Sequence, residues 1–330
     1  MVAQSYDANG NKASEDDFNG TRACYVNELS RNLEATRVEG LANNVACASV
    51  NAANASLPAG SRKVSTAWHP DWRMQVQVAE PNKRTTSVYN GQPDPFNANA
   101  IASCTPATAL LPDGKPIAVL CKQVEQATTD ATGGLGFSAA LQAGTADRVQ
   151  SWTYNQYGQV LTAKGARTDV SDTTTYVYYA DTTAVHTLGD LQSVTNAAGK
   201  TTTYTKYNKH GQVLESSDPN GVLTTNTYDL RQRLLGTSVA GETTSFTYDP
   251  VGQLKTTTLP NGAVITNTYD DAHRLTQVQD AAGNKIVYTL DNSGNRIGEQ
   301  VKDASGTLIK NITRSYDALN RLQSVTGAAQ

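Results

Sequence analysis

The residues best suited to acid–base chemistry near neutral pH are the four histidines, His69, His186, His210 and His273. They are scattered, His210 and His273 fall inside turn-like stretches, and the chain has no G-x-S-x-G, so no catalytic triad is indicated. Asp16 and Asp17 are adjacent carboxylates, read as a solvated turn rather than as a glycosidase pair. "DANGNKASEDDF" from Asp7 begins like a calcium loop, with oxygen ligands at alternating places. It has Lys12 where the turning glycine belongs and Phe18 where a bidentate glutamate is needed, so a plain turn is the better reading. "TGGLG" at Thr132–Gly136 has no strand before it and no helix after it, which favours a flexible loop over a phosphate cradle. No cofactor or metal is expected.

Cysteine chemistry is confined to Cys24, Cys47, Cys104 and Cys121. None of them forms C-x-x-C and no histidine lies at zinc-ligand spacing. Four cysteines allow three pairings. The sequential one, Cys24–Cys47 and Cys104–Cys121, would close loops spanning 23 and 17 residues (47−24 and 121−104). Each bridge would contribute roughly 3 kcal/mol in the chain-entropy model. The alternative is four buried thiols.

What would position such residues is written in the composition. Hydrophobic content is 38%, charged content 17% and mean hydropathy −0.46. The balance is Thr, Ser, Asn, Gln and Gly, types that favour strands and turns, so the 330 residues read as all-β rather than as a disordered chain. The net charge of −3 without a basic block lacks the footprint of a nucleic-acid binder. No run approaches the length of a membrane helix, and "MVAQSYDANG" carries neither the basic nor the apolar part of a signal peptide.

Aligned on an aromatic residue, the chain repeats. "YNKHGQVL" from Tyr207, "YDLRQRLL" from Tyr228, "YDPVGQLK" from Tyr248 and "YDDAHRLT" from Tyr269 are the clearest copies. "LDNSGNRI" from Leu290 and "YDALNRLQ" from Tyr316 continue them, at spacings of 21, 20, 21, 21 and 26. Looser copies begin at Tyr6, Tyr25 and Tyr154, with Trp68 in the tyrosine slot, a broken copy at Tyr89 and a resumption near Tyr179. A fixed period outranks any single motif. Each unit has a second turn, such as "SDPNGV" at Ser217–Val222, "LPNGAV" at Leu259–Val264 and "DAAGNK" at Asp280–Lys285. Between the turns lie five to seven residues rich in β-branched and aromatic types, so each unit predicts two strands and two turns.

Each slot then has a physical task. The turn aspartates Asp7, Asp229, Asp249, Asp270 and Asp317 can accept backbone N–H groups two residues on. Gly211, Gly221, Gly252, Gly262 and Gly283 can supply a positive φ. The tyrosines, with the Leu or Val after the turn, predict a packed face. Fully burying a tyrosine there would yield roughly 4–6 kcal/mol before entropy. The pairs Asp229–Arg233 and Asp271–Arg274 flank turns and predict exposed ion pairs of local rather than chemical importance.

These residues resemble the YD-repeat, or RHS-repeat, family: Tyr-Asp, two or three residues, Gly, Arg-Leu, then a D-x-x-G turn. The family includes bacterial RHS polymorphic toxins, the C-component of insecticidal toxin complexes, and teneurins. The resemblance implies an array of antiparallel hairpins in a curved or spiralling sheet, a partial β-shell without catalysis of its own. It also implies a bacterial parent protein that is secreted or at the cell surface, and two kinds of partner, the rest of its shell and an enclosed toxin domain. The family's aspartyl self-cleavage motif contains D-P-x-G, but "DPNG" at Asp218–Gly221 is followed by further copies and reads as a repeat turn. The pattern already runs at Tyr6 and still runs at Tyr316, as in a segment of a longer array.

The expected organisation is repeats at 1–91 with an interruption at about 41–63, an irregular insertion at 92–150, and regular repeats at 151–330. In the insertion, "LLPDGKPIAVL" predicts a small hairpin pinned by Cys104 and Cys121. The second functional expectation is a glycan- or protein-binding module, with Trp68 and Trp72 available to stack on sugars. Open sheet edges also predict edge-to-edge dimerisation.

Overall fold

The structure is a computed structural model that describes residues 3–52 and 54–329. Ala53, inside the 41–63 interruption, lies outside the described residues. The chain divides into two compact units, residues 1–177 with 194–200, and residues 178–193 with 201–330. Both are all-β arrays of antiparallel hairpins, as the composition and the period predict.

In the second unit twelve strands follow one another from Thr201–Tyr207 to Leu322–Ala329, each paired antiparallel with the next. Strands such as Leu223–Tyr228 ("LTTNTY") and Val264–Tyr269 ("VITNTY") form because β-branched residues pack well on a pleated surface. Threonines facing each other across strands bond directly, as Thr247 and Thr256 do at 2.6 Å. Most turns here are three-residue loops, a bend whose last residue is left-handed. Asp229 N donates to Arg233 O and Gln232 N to Asp229 O, both at 2.9 Å. The exception is Ala240-Gly241, a two-residue turn with both φ values positive, 52° and 89°.

The first unit starts in the same way and then departs. Its ladder runs through Ala3–Tyr6, Lys12–Asp16, Thr21–Glu28, Leu33–Ala42, Arg62–Trp68, Gln75–Glu80 and Lys83–Tyr89. The next strand in the ladder is Leu120–Ala127, followed by Arg148–Tyr154, Val160–Lys164 and Thr173–Tyr178. Leu120–Ala127 lies inside the stretch read as an irregular insertion. Its sequence, LCKQVEQA, loses strict alternation where the register shifts between Leu120 and Lys122, and Gln126 stands at a buried position, which hides the strand from a hydrophobic count.

The 41–63 interruption carries the helix Cys47–Asn51, whose Val50 joins Cys24, Val38 and Leu41 in a buried cluster. The disulfide Cys24–Cys47 ties that helix to the strand Thr21–Glu28, and Cys104–Cys121 ties the second interruption to Leu120–Ala127. Within that interruption, Leu111 N donates to Lys115 O across the Asp113-Gly114 turn. Among the described residues neither unit's ladder returns to pair with its own first strand. No helix of the described residues is long and apolar enough to cross a membrane.

Candidate functional site: the joints between repeats

The chemistry-bearing residues of the repeat converge on one joint, made anew in successive units. The joint begins with a bulge. Register shifts between Thr227 and Tyr228, so that Tyr228 pairs with Leu234, six residues on. The same shift precedes Tyr248, Tyr269, Leu290 and Tyr316, and in the first unit Tyr6, Trp68 and Tyr154. A bulge re-aims a side chain and ends pairing, here at the last residue before the turn.

The aspartate after the tyrosine closes that turn. Asp229 Oδ1 accepts the N–H groups of Arg231 and Arg233, both at 2.9 Å. Asp7 and Asp317 make the same pair of bonds two and four residues on, and Asp249 accepts from Gly252 and Gln253. Asp270 holds Arg274 N at 2.8 Å. These bonds favour the ionised carboxylate. The Arg233 N–H holds Asp229 below the usual carboxylate range, and the Arg274 side chain does the same for Asp270. Asp218 of "DPNG" spends Oδ1 in this way too, on Asn220 N and Val222 N, which fits a turn.

The fourth residue of the turn is left-handed. Gly252 has φ 101°, and Gly211, Gly221, Gly262 and Gly283 are also positive. Gln232, His273 and Asn320 occupy the same conformation at 65°, 63° and 60° without glycine's freedom.

The tyrosine hydroxyl makes the link between neighbouring repeats. Tyr248 donates to Leu234 O at 2.9 Å, Tyr269 to Leu254 O at 2.9 Å and Tyr228 to Val213 O at 3.3 Å. Tyr207 reaches Leu191 O and Tyr154 reaches Leu120 O, while Trp68 Nε1 reaches Glu34 O at 2.9 Å. The acceptor is thus the backbone of an earlier strand. Asn226 and Asn267 donate to the same carbonyls as Tyr228 and Tyr269, Val213 O and Leu254 O, at 3.1 Å. Turn-to-turn bonds run parallel to these. Gln212 Nε2 reaches Gln232 O, Gln253 Nε2 reaches His273 O, and Arg274 Nη1 reaches Asp291 O. Arg233 lies 4.4 Å over the Tyr248 ring.

Several expectations need correction. Tyr25 is no anchor, because it sits mid-strand opposite Arg37 and the turn after it closes at Glu28 and Leu33. Tyr6 stands at a bulge, but its ring is 60% exposed and its hydroxyl goes to Gln4 within its own strand. Tyr228, Tyr248, Tyr269 and Tyr316 are half-buried, so full-burial energies do not apply to them. Tyr154 and Tyr207 are buried, and burial pushes the Tyr207 phenol up to about 12.

Arg274 pairs with Asp270 at 2.7 Å rather than with Asp271, because Asp270 is the carboxylate the turn fixes beside it. Asp16 ends a strand and binds Arg22 through both oxygens, and only Asp17 serves a turn. "TGGLG" is held in place. The buried Asp130 accepts N–H from Thr132, Gly133 and Leu135, and a Cβ on Gly133 would collide with the Lys63 carbonyl.

The sequence reasoning missed Asn226 and Asn267, although the recurrence of "TNTYD" was their signal. It also missed Asp130, for which no local pattern exists. Among the histidines, His69 is buried with Nδ1 accepting from Asp71 N and Trp72 N, and burial lowers its basicity. His210 and His273 lie in turns, and His186 lies in a loop of residues 179–190. Among the described residues no cluster of carboxylate, imidazole and thiolate groups could hold a metal ion.

Residues 269–308 match the family model of the RHS repeat. No curated protein sequence matches the chain. Solved structures share its fold. One is TcdB2-TccC3 without its hypervariable C-terminal region, 15% identical with a TM-score of 0.63 over 98% of this chain and 16% of that one. Another, TcdB2-TccC3-TEV, is 16% identical with a TM-score of 0.60, covering 97% of this chain and 16% of that one. A Photorhabdus luminescens Tc holotoxin pore is 14% identical with a TM-score of 0.54, over 98% and 19%. The chain therefore spans less than a fifth of the structures it matches.

Proposed function

We propose that this RHS-repeat chain is wall material: a non-catalytic part of a shell that encloses or presents a C-terminal toxin or effector of its parent protein. The observation that carries the reading is the joint. In repeat after repeat the Tyr, Asp, Gln and Arg side chains spend their hydrogen bonds on the backbone of their own or a neighbouring repeat. Residues committed in this way build length instead of meeting a substrate. The fold shared with TcdB2-TccC3 supports the same reading. The disulfides Cys24–Cys47 and Cys104–Cys121 support a parent that matures outside a reducing cytoplasm.

Two experiments test it. The coding sequence that continues past residue 330 should specify the rest of a shell and a toxin or effector, and a continuation into an unrelated enzyme would overturn the proposal. In the purified parent, the C-terminal region should resist protease until the repeats are unfolded. Digestion at the same rate with the repeats intact would remove the enclosing role.

A second reading, binding of a glycan, is favoured by one feature, Trp72, which is 41% exposed beside Asp71 and Lys115 along a cavity of about 180 Å³. Retention of the chain on a glycan column, lost in Trp72→Ala, would support it. Equal retention of both proteins would remove it.

A further inference from the structure

The loop of residues 179–190 does not belong to the repeat joint, yet it is tightly built. Tyr179 N donates to Asp190 O and Gly189 N to Tyr179 O, both at 2.9 Å, which closes its neck. Thr183 N donates to His186 O at 2.8 Å, and Leu188 N to Thr182 Oγ1 at 2.9 Å. Tyr207 N holds Val185 O from the neighbouring strand. The His186 imidazole stacks on the Tyr179 ring at 3.6 Å with the planes 9° apart, and its side chain is only 11% exposed.

Both imidazole nitrogens have side-chain partners. Nε2 lies 3.1 Å from Asp181 Oδ1, and Nδ1 lies 3.2 Å from Thr183 Oγ1. A carboxylate can only accept, so Asp181 requires the proton on Nε2. In the neutral imidazole Nδ1 is then the bare nitrogen, and Thr183 donates its hydroxyl proton to it. Val185 N–H donates to Thr183 Oγ1 at 3.2 Å, which fixes the hydroxyl oxygen and leaves its proton free to point at Nδ1. Thr183 and Asp181 are exposed while the base between them is shielded by Tyr179. A nucleophile in reach of a base, with the base oriented by a third group, is the arrangement that activates a hydroxyl.

We propose that Thr183 is an activated nucleophile and a site of covalent acylation, with His186 as its general base and Asp181 as the residue that positions His186. The ligand class is an activated acyl ester. Thr183 Oγ attacks the acyl carbon and forms the new C–O bond. Its proton passes to His186 Nδ1, the bond to the leaving oxygen breaks, and the departing oxide takes the proton from His186. One threonine ester and one alcohol result, with no change of oxidation state. This proposal is independent of the shell reading, because a wall segment can carry a modification.

The test is acetylation of the whole chain by p-nitrophenyl acetate, followed by peptide mapping. Thr183 should be the threonine acetylated fastest, and Thr183→Val should abolish labelling of that peptide. His186→Phe keeps a ring to stack on Tyr179 and should slow Thr183 acetylation about a hundredfold. Asp181→Asn should also slow it, and Asp181→Glu should restore most of the lost rate, a rescue that a merely structural role would not produce. Equal acetylation of Thr183 in the unmodified chain and in His186→Phe, or no difference between Asp181→Asn and Asp181→Glu, would overturn the proposal.

Discussion

The two units share one repeat and are held together differently. Apart from Tyr207, every buried apolar residue among those described belongs to the first unit, including Cys24, Val38, Leu41, Val50, Val88 and Val124. Both disulfides are there too. In the second unit the strands are half-exposed, and Leu223, Leu230, Val239, Val251 and Leu319 lie open to solvent. The first unit is therefore a small conventional domain grown around interruptions of the ladder. The second is held by strand pairing and by bonds from each joint to a neighbour, so its stability should add up repeat by repeat. At the two long interruptions of the first unit, buried residues and a disulfide appear in the repeat's place.

The contrast is most easily broken in the first unit. Leu41→Ala removes a side chain that is 1% exposed and should cost about 2–5 kcal/mol. In guanidinium titrations that loss should appear in the first unit alone, and an equal loss from half-buried Val278→Ala in the second would erase the distinction. Next in size, Cys24→Ser with Cys47→Ser should cost roughly 3 kcal/mol in the chain-entropy model. Chemical reduction of both disulfides should leave the second unit's transition unmoved, since no cysteine lies there.

Tyr248→Phe sharpens the other half of the comparison. It keeps the ring and removes the bond to Leu234 O, at a cost of about 1 kcal/mol in the second unit. No change in the denaturation midpoint would mean that the hydroxyl does not join the repeats. His273→Gly should act in the opposite direction, because a left-handed backbone is strained for a side chain. A gain of up to about 1 kcal/mol is expected, less the cost of glycine's extra freedom in the unfolded chain.

The smallest effect per site comes from the turn carboxylates, which lie at the surface, most of them half-buried. Asp229, Asp270, Asp280, Asp291, Asp303 and Asp317 are all held below the ordinary aspartate range by hydrogen bonds. A depressed carboxylate stabilises the fold above its unfolded pKa, about 4, and that contribution is lost as pH falls through the folded value. Acid titration should therefore loosen the second unit progressively below about pH 4. A midpoint of unfolding unchanged between neutral and strongly acidic pH would count against these bonds.

How much was legible follows from distance along the chain. The Asp229 turn could be read because its bonds reach only two and four residues, and spacing alone exposes them. The left-handed fourth place showed as glycine in some copies, and the structure extends it to Gln232 and His273. The Tyr248 hydroxyl was left without an assigned partner, because Leu234 O becomes available only once the bulge sets the register. Asn267 was passed over for the same reason, since its acceptor lies 13 residues back. Tyr25 carries the repeat's letter without its place in the register, which only the pairing with Arg37 reveals. The relay at Asp181, Thr183 and His186 spans six residues, yet the loop's fold decides which nitrogen meets which oxygen.

At the joints of Tyr228, Tyr248 and Tyr269 the acceptor is a main-chain carbonyl, and that has a genetic consequence. A seam between two side chains must be renegotiated whenever one of them mutates. A seam onto the backbone places no demand on the identity of the residue that supplies it, and Leu and Val both serve. Copies can then drift apart in letters and still fit. Unequal recombination can add or delete a unit without spoiling its neighbours, and array length becomes a quantity that selection can adjust without changing the joint.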